Sequence, residues 1–264
     1  MTEHRVLDLR HGFNFRELGG YPTTTGQTVK WHTLIRSAHL ADLTCQELGM
    51  LYDYGIRTVI DFRSTSEVAA YPDHLSSFFQ YYRVPVFDND VTESNATVEE
   101  IRQYFSSSPQ AGFDRMMRVY RQLVISTQSQ RAYQTFLKLL VCAGSKGGVL
   151  FHCSAGKDRT GLGAILLLSL LQVPRDLILK DYLLTNSHST RRVAQRLEYA
   201  RQLNMNACYL QSIKDLSTVN EYYYDQAMAL IDYQYGGIQR YLCDILKIEP
   251  AVITQLREMY LLKA

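Results

Sequence analysis

A cysteine and an arginine lie six positions apart in a short polar segment between two apolar runs. The segment reads His152-Cys153-Ser154-Ala155-Gly156-Lys157-Asp158-Arg159-Thr160-Gly161. If a strand ends before Cys153 and a helix begins near Asp158, successive backbone N–H groups can surround a bound anion, toward which the positive end of the helix points. We therefore predict a phosphate-binding loop whose substrate-binding residues are His152, Ser154, Ala155, Gly156, Lys157 and Thr160.

The same field lowers the pKa of the Cys153 thiol, so that a thiolate is expected at neutral pH. A thiolate can attack phosphorus without a separate base and can later leave. The planar fork of Arg159 can hold two phosphate oxygens, whereas a lysine would supply charge without that paired geometry. The hydroxyl of Thr160 can donate to the sulfur when the intermediate breaks down. These residue types predict a phosphoryl-transfer site with Cys153 and Arg159 as catalytic residues.

A cysteine followed six residues later by an arginine is, alone, weak evidence for a phosphate-binding loop. The spacing also arises by chance, and the two residues can have a purely structural role in packing. The context strengthens the prediction, since an apolar run precedes the pair and glycines accompany it. A nucleotide-binding P-loop is the rival interpretation of Gly156-Lys157. It requires Ser or Thr at position 158 and Gly at position 151, where this chain has Asp158 and Phe151.

Elements that position this loop are visible along the chain. Val149-Leu150-Phe151 is typical of a buried parallel strand, and an apolar helix is expected after the loop. Runs with a strand pattern occupy Thr33–Arg36, Arg57–Phe62 and Tyr81–Phe87, and Leu40–Tyr54 has helical spacing. This alternation favours an α/β fold with a central, mostly parallel sheet flanked by helices. After Pro174 the chain is predicted to be almost wholly helical.

The stretch from Val91 to Ser145 is longer than a crossover between parallel strands requires. Helical patterns lie at Thr97–Phe105, Phe113–Ser126 and Gln130–Cys142, and we expect at least one of these helices to cover the site. The prediction is a single catalytic domain over residues 1–264 with a helical lid insertion at about 91–142.

Composition restricts the partners and the compartment. A net charge of +2 on 264 residues gives no basic block, and the nearest basic pair, Arg191-Arg192, is interpreted as a solvated helix face. No nucleic-acid partner, transmembrane segment, metal or cofactor is therefore expected. The N-terminus lacks the apolar core of a secretory signal. We expect a cytoplasmic protein with free thiols, in which the four cysteines other than Cys153 are buried. Secretion without a classical signal and the oligomeric state are left open.

The segment HCSAGKDRTG resembles the signature loop of the protein tyrosine phosphatase superfamily, specifically its bacterial branch of the PtpB and LipA type. Further similarities are Asn14-Phe15-Arg16-Glu17-Leu18-Gly19-Gly20, Arg36-Ser37, Val59-Ile60-Asp61-Phe62-Arg63 and Asp181-Tyr182-Leu183-Leu184-Thr185-Asn186. Glu17 and Phe62 replace the usual aspartate and leucine at positions that are not catalytic. The resemblance spans most of the chain and implies the tyrosine phosphatase fold, a phosphocysteine intermediate and phosphotyrosine substrates, with phosphoinositides as a further class.

The leaving tyrosine oxygen requires a proton, which an aspartic acid would supply. In the branch that the chain resembles, the aspartate inside the phosphate loop has this role, and Asp158 is the matching residue. Its alternative is a structural tether. Asp88 and Asp90 are the other candidates, because they follow a strand near the same sheet edge, and turn formation is the alternative explanation for both. Arg63 either reaches the cleft or pairs with Glu67.

Lys157 is expected either to attract substrates with several phosphates or to be a solvated lysine. The predicted function is hydrolysis of phosphotyrosine in proteins or peptides. The alternatives are a phosphoinositide phosphatase, a phosphate-binding module without turnover, and a thiol oxidoreductase or arsenate reductase. The intact set of Cys153, Asp158 and Arg159 argues against a binding module. An oxidoreductase normally needs a second cysteine nearby, and only Cys142 is a candidate.

Overall fold

A central sheet of five strands in the order β1-β3-β6-β4-β5 organises the computed structural model, which describes residues 5–87 and 98–263. Its strands are β1 (Arg16–Glu17), β3 (Leu34–Ser37), β4 (Ile56–Asp61), β5 (Gln80–Arg83) and β6 (Gly148–His152). Strand β1 is antiparallel to β3, and the other neighbours are parallel. A small second sheet pairs β2 (Thr28–Val29) with β7 (Leu261–Leu262).

Helices make up most of the remaining chain. They are α1 (Cys45–Asp53), α2 (Thr65–Ala70), α3 (Val98–Ser107), α4 (Ala111–Ile125), α5 (Thr127–Gly144), α6 (Asp158–Leu170), α7 (Arg175–Ser187), α8 (Thr190–Gln202), α9 (Ala207–Ser217), α10 (Glu221–Ala229), α11 (Ile238–Arg240) and α12 (Pro250–Tyr260), with π-helical segments at Leu230–Gln234 and Tyr241–Ile245. The predicted α/β architecture, a mostly parallel sheet flanked by helices, is confirmed.

The alternation of side chains along the buried strands divides the core between the two faces of the sheet. Phe151 of β6 belongs to the large cluster that includes residues of α4, α5 and α6, whereas Leu150 belongs to a smaller cluster with residues of α1. Because successive side chains of a strand point to opposite faces, neighbouring residues of β6 anchor helices on both sides. The sheet is therefore held firmly at the strand that leads into the phosphate loop.

Several predicted boundaries differ from the structure. The helix predicted from Leu40 begins only at Cys45, because Thr44 and Glu47 form a capping box that defines its start. Strand β5 ends at Arg83, two residues before Pro85, and is shorter than the predicted run to Phe87. Helices α2 and α9 were not predicted. Helix α2 is short and depends on the capping box of Ser64 and Glu67 rather than on apolar spacing, and α9 begins at the Asn206 N-cap, whose side chain accepts from the Tyr209 backbone N–H.

The region of the predicted lid contains helices with different surroundings. Helices α3 and α4 pack against α9, whereas α5 packs against β4, β6 and α6 as part of the core. The lid at about 91–142 stays a prediction, and residues 91–97 lie outside the described chain. In the described ranges, no helix is long and apolar enough to cross a membrane. The other four cysteines are not buried as predicted, since Cys45 and Cys142 are exposed and Cys208 and Cys243 are half-buried.

Candidate active site

The predicted phosphate loop lies between the end of β6 and the start of α6. Strand β6 is flanked by β3 and β4, and Ser37 and Asp61 both pair with His152 in the sheet register. Cys153 follows β6 directly and is 2% exposed. It lies in a cavity of about 710 Å³ that Ser154, Asp158 and Arg159 also line. The fold therefore places the sulfur at the carboxyl edge of the sheet, near the N-terminus of a buried helix.

The environment of Cys153 favours the thiolate. Burial alone would raise the pKa of this thiol, but the charge of Arg159 and hydrogen bonds from the side chain and backbone of Thr160 lower it below its ordinary value. The role predicted for Thr160, donation of its hydroxyl to the sulfur, is consistent with this lowered pKa and stays a prediction.

Arg159 is held by a carboxylate that the sequence analysis did not assign to the site. Its Nη1 and Nη2 atoms donate to the two carboxylate oxygens of Glu67 at 2.6 and 2.7 Å. Glu67 is positioned by the capping box of α2, in which it accepts from the Ser64 backbone N–H at 2.9 Å. Burial would raise the pKa of Glu67, but the hydrogen bonds and charge of Arg159 lower it to about 2. The guanidinium plane is therefore fixed before any substrate arrives.

The predicted ion pair between Arg63 and Glu67 is wrong. Arg63 donates to Asp61 at 2.8 to 3.0 Å and also pairs with Asp73, because it lies between the end of β4 and the start of α2, the helix to which Glu67 belongs. Arg63 does reach the cavity wall, as the other interpretation expected. Its guanidinium is nevertheless occupied by the two buried aspartates.

His152 lies beneath the loop rather than in the cavity. It is fully buried, with Nε2 at 3.2 Å from the Asp73 carboxylate and 3.9 Å from that of Asp61. Burial opposes its protonation, but the charge of Asp61 and the contact with Asp73 raise its pKa. These three side chains are of types that bind metal ions. Arg63 already bridges both carboxylates, so their charge is compensated without a metal.

Asp158 lines the cavity and is tied to neighbours on two sides. It accepts a hydrogen bond from the Tyr120 hydroxyl at 2.9 Å and pairs with Lys157 Nζ at 2.9 Å. The Tyr182 hydroxyl in turn donates to Tyr120 at 2.8 Å. Lys157 also donates to the Thr218 carbonyl at 3.2 Å and is buried, so the alternative of a solvated lysine is wrong. The carboxylate of Asp158 is thus held at the cavity wall close to the loop.

The back of the loop is supported by residues from the start of the chain. Asn14 Nδ2 donates to the carbonyls of Ala155 at 3.0 Å and Gly156 at 2.9 Å, and Arg36 Nη2 donates to the Gly156 carbonyl at 3.0 Å. Gly156 has a φ of +64°, and a Cβ there would lie 2.3 Å from the Ser37 carbonyl oxygen. The loop therefore curves so tightly against β3 that only glycine fits at this position.

A buried charge network fixes this support. Asp181 of α7 pairs with Arg16 at 3.2 Å and with Arg36 at 2.7 Å, and all three side chains are at most 1% exposed. Arg16 also donates to Asn14. Burial and the charge of Arg36 lower the pKa of Arg16 to about 10, although Asp181 opposes this shift. The sequence analysis quoted four of these residues as parts of motifs but assigned them no role. The structure brings them together behind the loop: Asn14, Arg16, Arg36 and Asp181.

Most of the residues that the sequence predicted for the site line the cavity. Ser154, Ala155, Lys157, Asp158 and Arg159 line the cavity with Cys153, whereas His152 is not among the lining residues. Asp88 and Asp90 lie outside the described residues. Glu67 and Tyr120 were missed, because neither shares a motif with the loop. A capping-box pattern, Ser64 followed by Glu67, was the one signal available for Glu67.

Known proteins with similar sequences indicate the family of this chain. Residues 7–262 match the sequence profile described as the tyrosine phosphatase family. A Cupriavidus necator protein provisionally named a tyrosine-protein phosphatase is 30% identical over 251 residues, covering 94% of this chain and 85% of that protein. The triple specificity protein phosphatase PtpB of Mycobacterium tuberculosis is 27% identical over 281 residues, covering 97% of this chain and 99% of PtpB.

A likeness to a solved structure is more distant. The Pseudomonas aeruginosa protein TpbA has 16% sequence identity and a TM-score of 0.37, with 70% of this chain and 89% of that chain covered. The family profile spans nearly the whole chain, and the resemblance inferred from HCSAGKDRTG is confirmed. The chain belongs to the tyrosine phosphatase family.

Proposed function

We propose that this chain hydrolyses phosphotyrosine in proteins or peptides through a phosphocysteine intermediate on Cys153. One observation carries the proposal. A buried thiol whose pKa is lowered shares a cavity with the guanidinium of Arg159 and the carboxyl group of Asp158. These are a nucleophile, an anion-binding group and a proton donor, which together are what transfer of a phosphoryl group to sulfur requires.

In the proposed first step, the Cys153 thiolate attacks phosphorus and forms an S–P bond. The bond from phosphorus to the tyrosyl oxygen breaks, and Asp158 delivers its proton to that oxygen as tyrosine leaves. In the second step water attacks phosphorus, and Asp158 accepts a proton from it. The S–P bond then breaks, inorganic phosphate leaves, and the hydroxyl of Thr160 stabilises the returning thiolate.

Arg159 would bind the phosphate oxygens throughout both steps. A guanidinium already oriented by Glu67 loses little conformational entropy when the anion binds, which favours binding of the transition state. The backbone N–H groups of residues 154–158 would complete the anion site, because Asn14 and Arg36 hold the carbonyls of Ala155 and Gly156 on the opposite side of the loop.

We propose that the chain is a single catalytic domain and that the helical insertion covers part of the active-site cavity. Met116 of α4 and Leu216 of α9 lie on the cavity wall, and these helices pack against each other. Apolar side chains at this wall would contact the aromatic ring of the substrate and exclude water from the reacting phosphate. The lid would thus be built by α4 together with α9, which follows the phosphate loop in sequence.

The choice of the acid predicts a dependence on the leaving group. We expect Asp158→Asn to lower kcat by about 10²-fold or more for a substrate with a basic leaving group such as tyrosine, because no proton is delivered. For p-nitrophenyl phosphate, whose leaving group needs little protonation, the loss should be much smaller. Steady-state kinetics with both substrates measure this difference.

Tyr120→Phe is the matched control, because it removes the hydrogen bond to Asp158 but keeps the carboxyl group. The same comparison with Asp88→Asn and Asp90→Asn tests the other two candidates. If Asp158→Asn lowers the turnover of both substrates equally while Asp88→Asn or Asp90→Asn shows the dependence on the leaving group, the acid lies at position 88 or 90.

The substrate class is tested by direct comparison. We expect kcat/KM for phosphotyrosine peptides to exceed that for phosphoserine peptides, since a cavity with the sulfur at its base favours the longer aryl ester. Phosphoinositides are the second candidate, because Lys157 adds a cation beside Arg159 and because one relative is named a triple specificity phosphatase. Malachite-green assays of phosphate release from the three substrates at equal ionic strength measure the order of their kcat/KM values. Faster turnover of phosphoserine peptides would contradict the tyrosine assignment.

A further inference from the structure

Charged side chains flank the phosphate loop on two sides. One set lines the cavity and includes Arg192 of α8, which is half-buried, so the interpretation of Arg191-Arg192 as a solvated pair is wrong for Arg192 and right for the exposed Arg191. The other set lies beneath the loop, and its side chains are at most 1% exposed: Asp61, Arg63, Asp73 and His152. Because water hardly reaches this second set, its members must compensate one another's charges.

The charges beneath the loop balance only if His152 is positively charged. Asp61 and Asp73 supply two negative charges, and Arg63, which pairs with both, supplies one positive charge. The imidazole of His152 faces both carboxylates, with Nε2 at 3.2 Å from Asp73 and at 3.9 Å from Asp61. A second proton on this ring supplies the missing positive charge at the place where it compensates a buried carboxylate.

The surroundings of the two ring nitrogens lead to the same conclusion. Nδ1 of His152 lies 3.3 Å from the Cys153 carbonyl oxygen, on the side of the ring opposite to the contact of Nε2 with Asp73. A carbonyl oxygen and an ionised carboxylate can only accept hydrogen bonds. A neutral ring has a hydrogen on one nitrogen alone, so it would turn a lone pair toward one of these oxygens. A doubly protonated ring presents an N–H to each.

The contact of Nδ1 fixes the first peptide unit of the phosphate loop. In a trans peptide the C=O and the N–H point in opposite directions, and the described chain has no cis peptide bond. His152 holds the Cys153 carbonyl beneath the loop, so the N–H of Ser154 turns to the other side, where the cavity lies. This N–H is the first of those that would bind the phosphate oxygens.

We propose that Asp73 is a positioning residue of the active site, which keeps His152 doubly protonated and thereby directs the Ser154 N–H toward the bound phosphate. The inference rests on the proposed function, because it requires that the loop bind a phosphate. Asp73 is built for this role. Its Oδ1 accepts from the Leu40 backbone N–H at 2.8 Å, which leaves Oδ2 to contact Arg63 and His152.

The protonation of His152 can be observed directly. Nitrogen-15 NMR spectra of the histidine-labelled wild type at neutral pH should show a hydrogen on both ring nitrogens of His152. In Asp73→Asn, which keeps the size of the side chain and an acceptor for the Leu40 N–H, one of these hydrogens should be lost, because Arg63 then balances Asp61 alone. A neutral His152 in the wild type would overturn the inference, whether or not the variant folds.

The consequence for the loop is measured by calorimetric binding of inorganic phosphate to Cys153→Ser. Adding Asp73→Asn should weaken this binding by about tenfold, the effect of one misdirected donor to a charged ligand. Tyr81→Phe is the matched control, because it removes a hydrogen bond to Asp61 in the same set but changes no charge. Unchanged phosphate affinity in Asp73→Asn, or an equal loss in Tyr81→Phe, would overturn the inference. Failure of the proposed function would appear separately, as a wild type that binds phosphate but does not hydrolyse p-nitrophenyl phosphate.

Discussion

The Cys153→Ser variant is expected to lose phosphatase activity by about 10⁴-fold or more while it still binds phosphotyrosine peptides. Serine keeps the size of the side chain, but its hydroxyl stays protonated at neutral pH and is a poor nucleophile without a base. Rapid quenching of the wild type with a radiolabelled aryl phosphate should trap label on the protein, and the variant should trap none. Cys142→Ser is the matched control, because that cysteine is exposed on α5 and lies outside the cavity lining.

The ionisation of the same sulfur gives this prediction a pH dependence. Arg159 and Thr160 hold the pKa of the Cys153 thiol below its ordinary value, so the rate of alkylation by iodoacetamide should reach half its maximum at a lower pH than for a simple thiol. The rising limb of kcat/KM should follow the same titration. Full activity in Cys153→Ser, or a thiol that titrates with an ordinary pKa, would contradict the nucleophile assignment.

The Asp181→Asn variant should be less stable by about 3 to 5 kcal/mol, because it leaves two buried arginines without their carboxylate. Arg16 and Arg36 are fully buried and share Asp181 between them. Urea unfolding followed by tryptophan fluorescence or circular dichroism measures the loss. Asp176→Asn is the matched control on the same helix, since its side chain is 67% exposed and pairs with Lys180 at the surface, so less than about 0.5 kcal/mol is expected.

The destabilisation by Asp181→Asn should also depend on pH. Burial opposes ionisation of Asp181, but Arg16 and Arg36 lower its pKa, so the ionised carboxylate stabilises the fold at every pH above the ordinary value for aspartate. That stabilisation is lost as the pH falls through the lowered pKa of the folded state. The difference in the free energy of unfolding between wild type and variant should thus be largest near neutral pH and become small in acid. A difference that is small and constant with pH would show that the network contributes little.

The sequence predicted the part of the site that is contiguous along the chain. Cys153, Asp158 and Arg159 lie within seven residues, and the strand and helix that hold them have simple apolar patterns, so local rules were sufficient. The same holds for β3, β4 and β6, which are buried and rich in branched apolar residues. Their parallel arrangement followed from the alternation of strands with helices.

The parts that were missed depend on contacts between distant residues. Glu67 was expected to pair with Arg63 because the two are close in sequence, but it turns toward Arg159 on another element. Single-sequence patterns contain no information on which of several acidic residues a buried arginine selects. Helix α9 lies in the part of the chain predicted to be almost wholly helical, but its bounds were not predicted, and its packing against α3 and α4, which lie about a hundred residues earlier, could not be inferred from local patterns.

The contacts of Asn14, Arg16 and Arg36 behind the phosphate loop have a consequence for how this enzyme folds. Asn14 bonds to residues 141 and 142 positions later, and Arg16 pairs with a carboxylate 165 positions later. Contacts of such long range form late, since closing long loops has a high entropic cost. A chain emerging from the ribosome, or one refolding from denaturant, is therefore expected to lack the full rear support of the phosphate loop until both the start of the chain and α7 have docked. Recovery of activity should track the last cooperative phase of refolding, which makes catalysis a sensitive reporter of complete assembly.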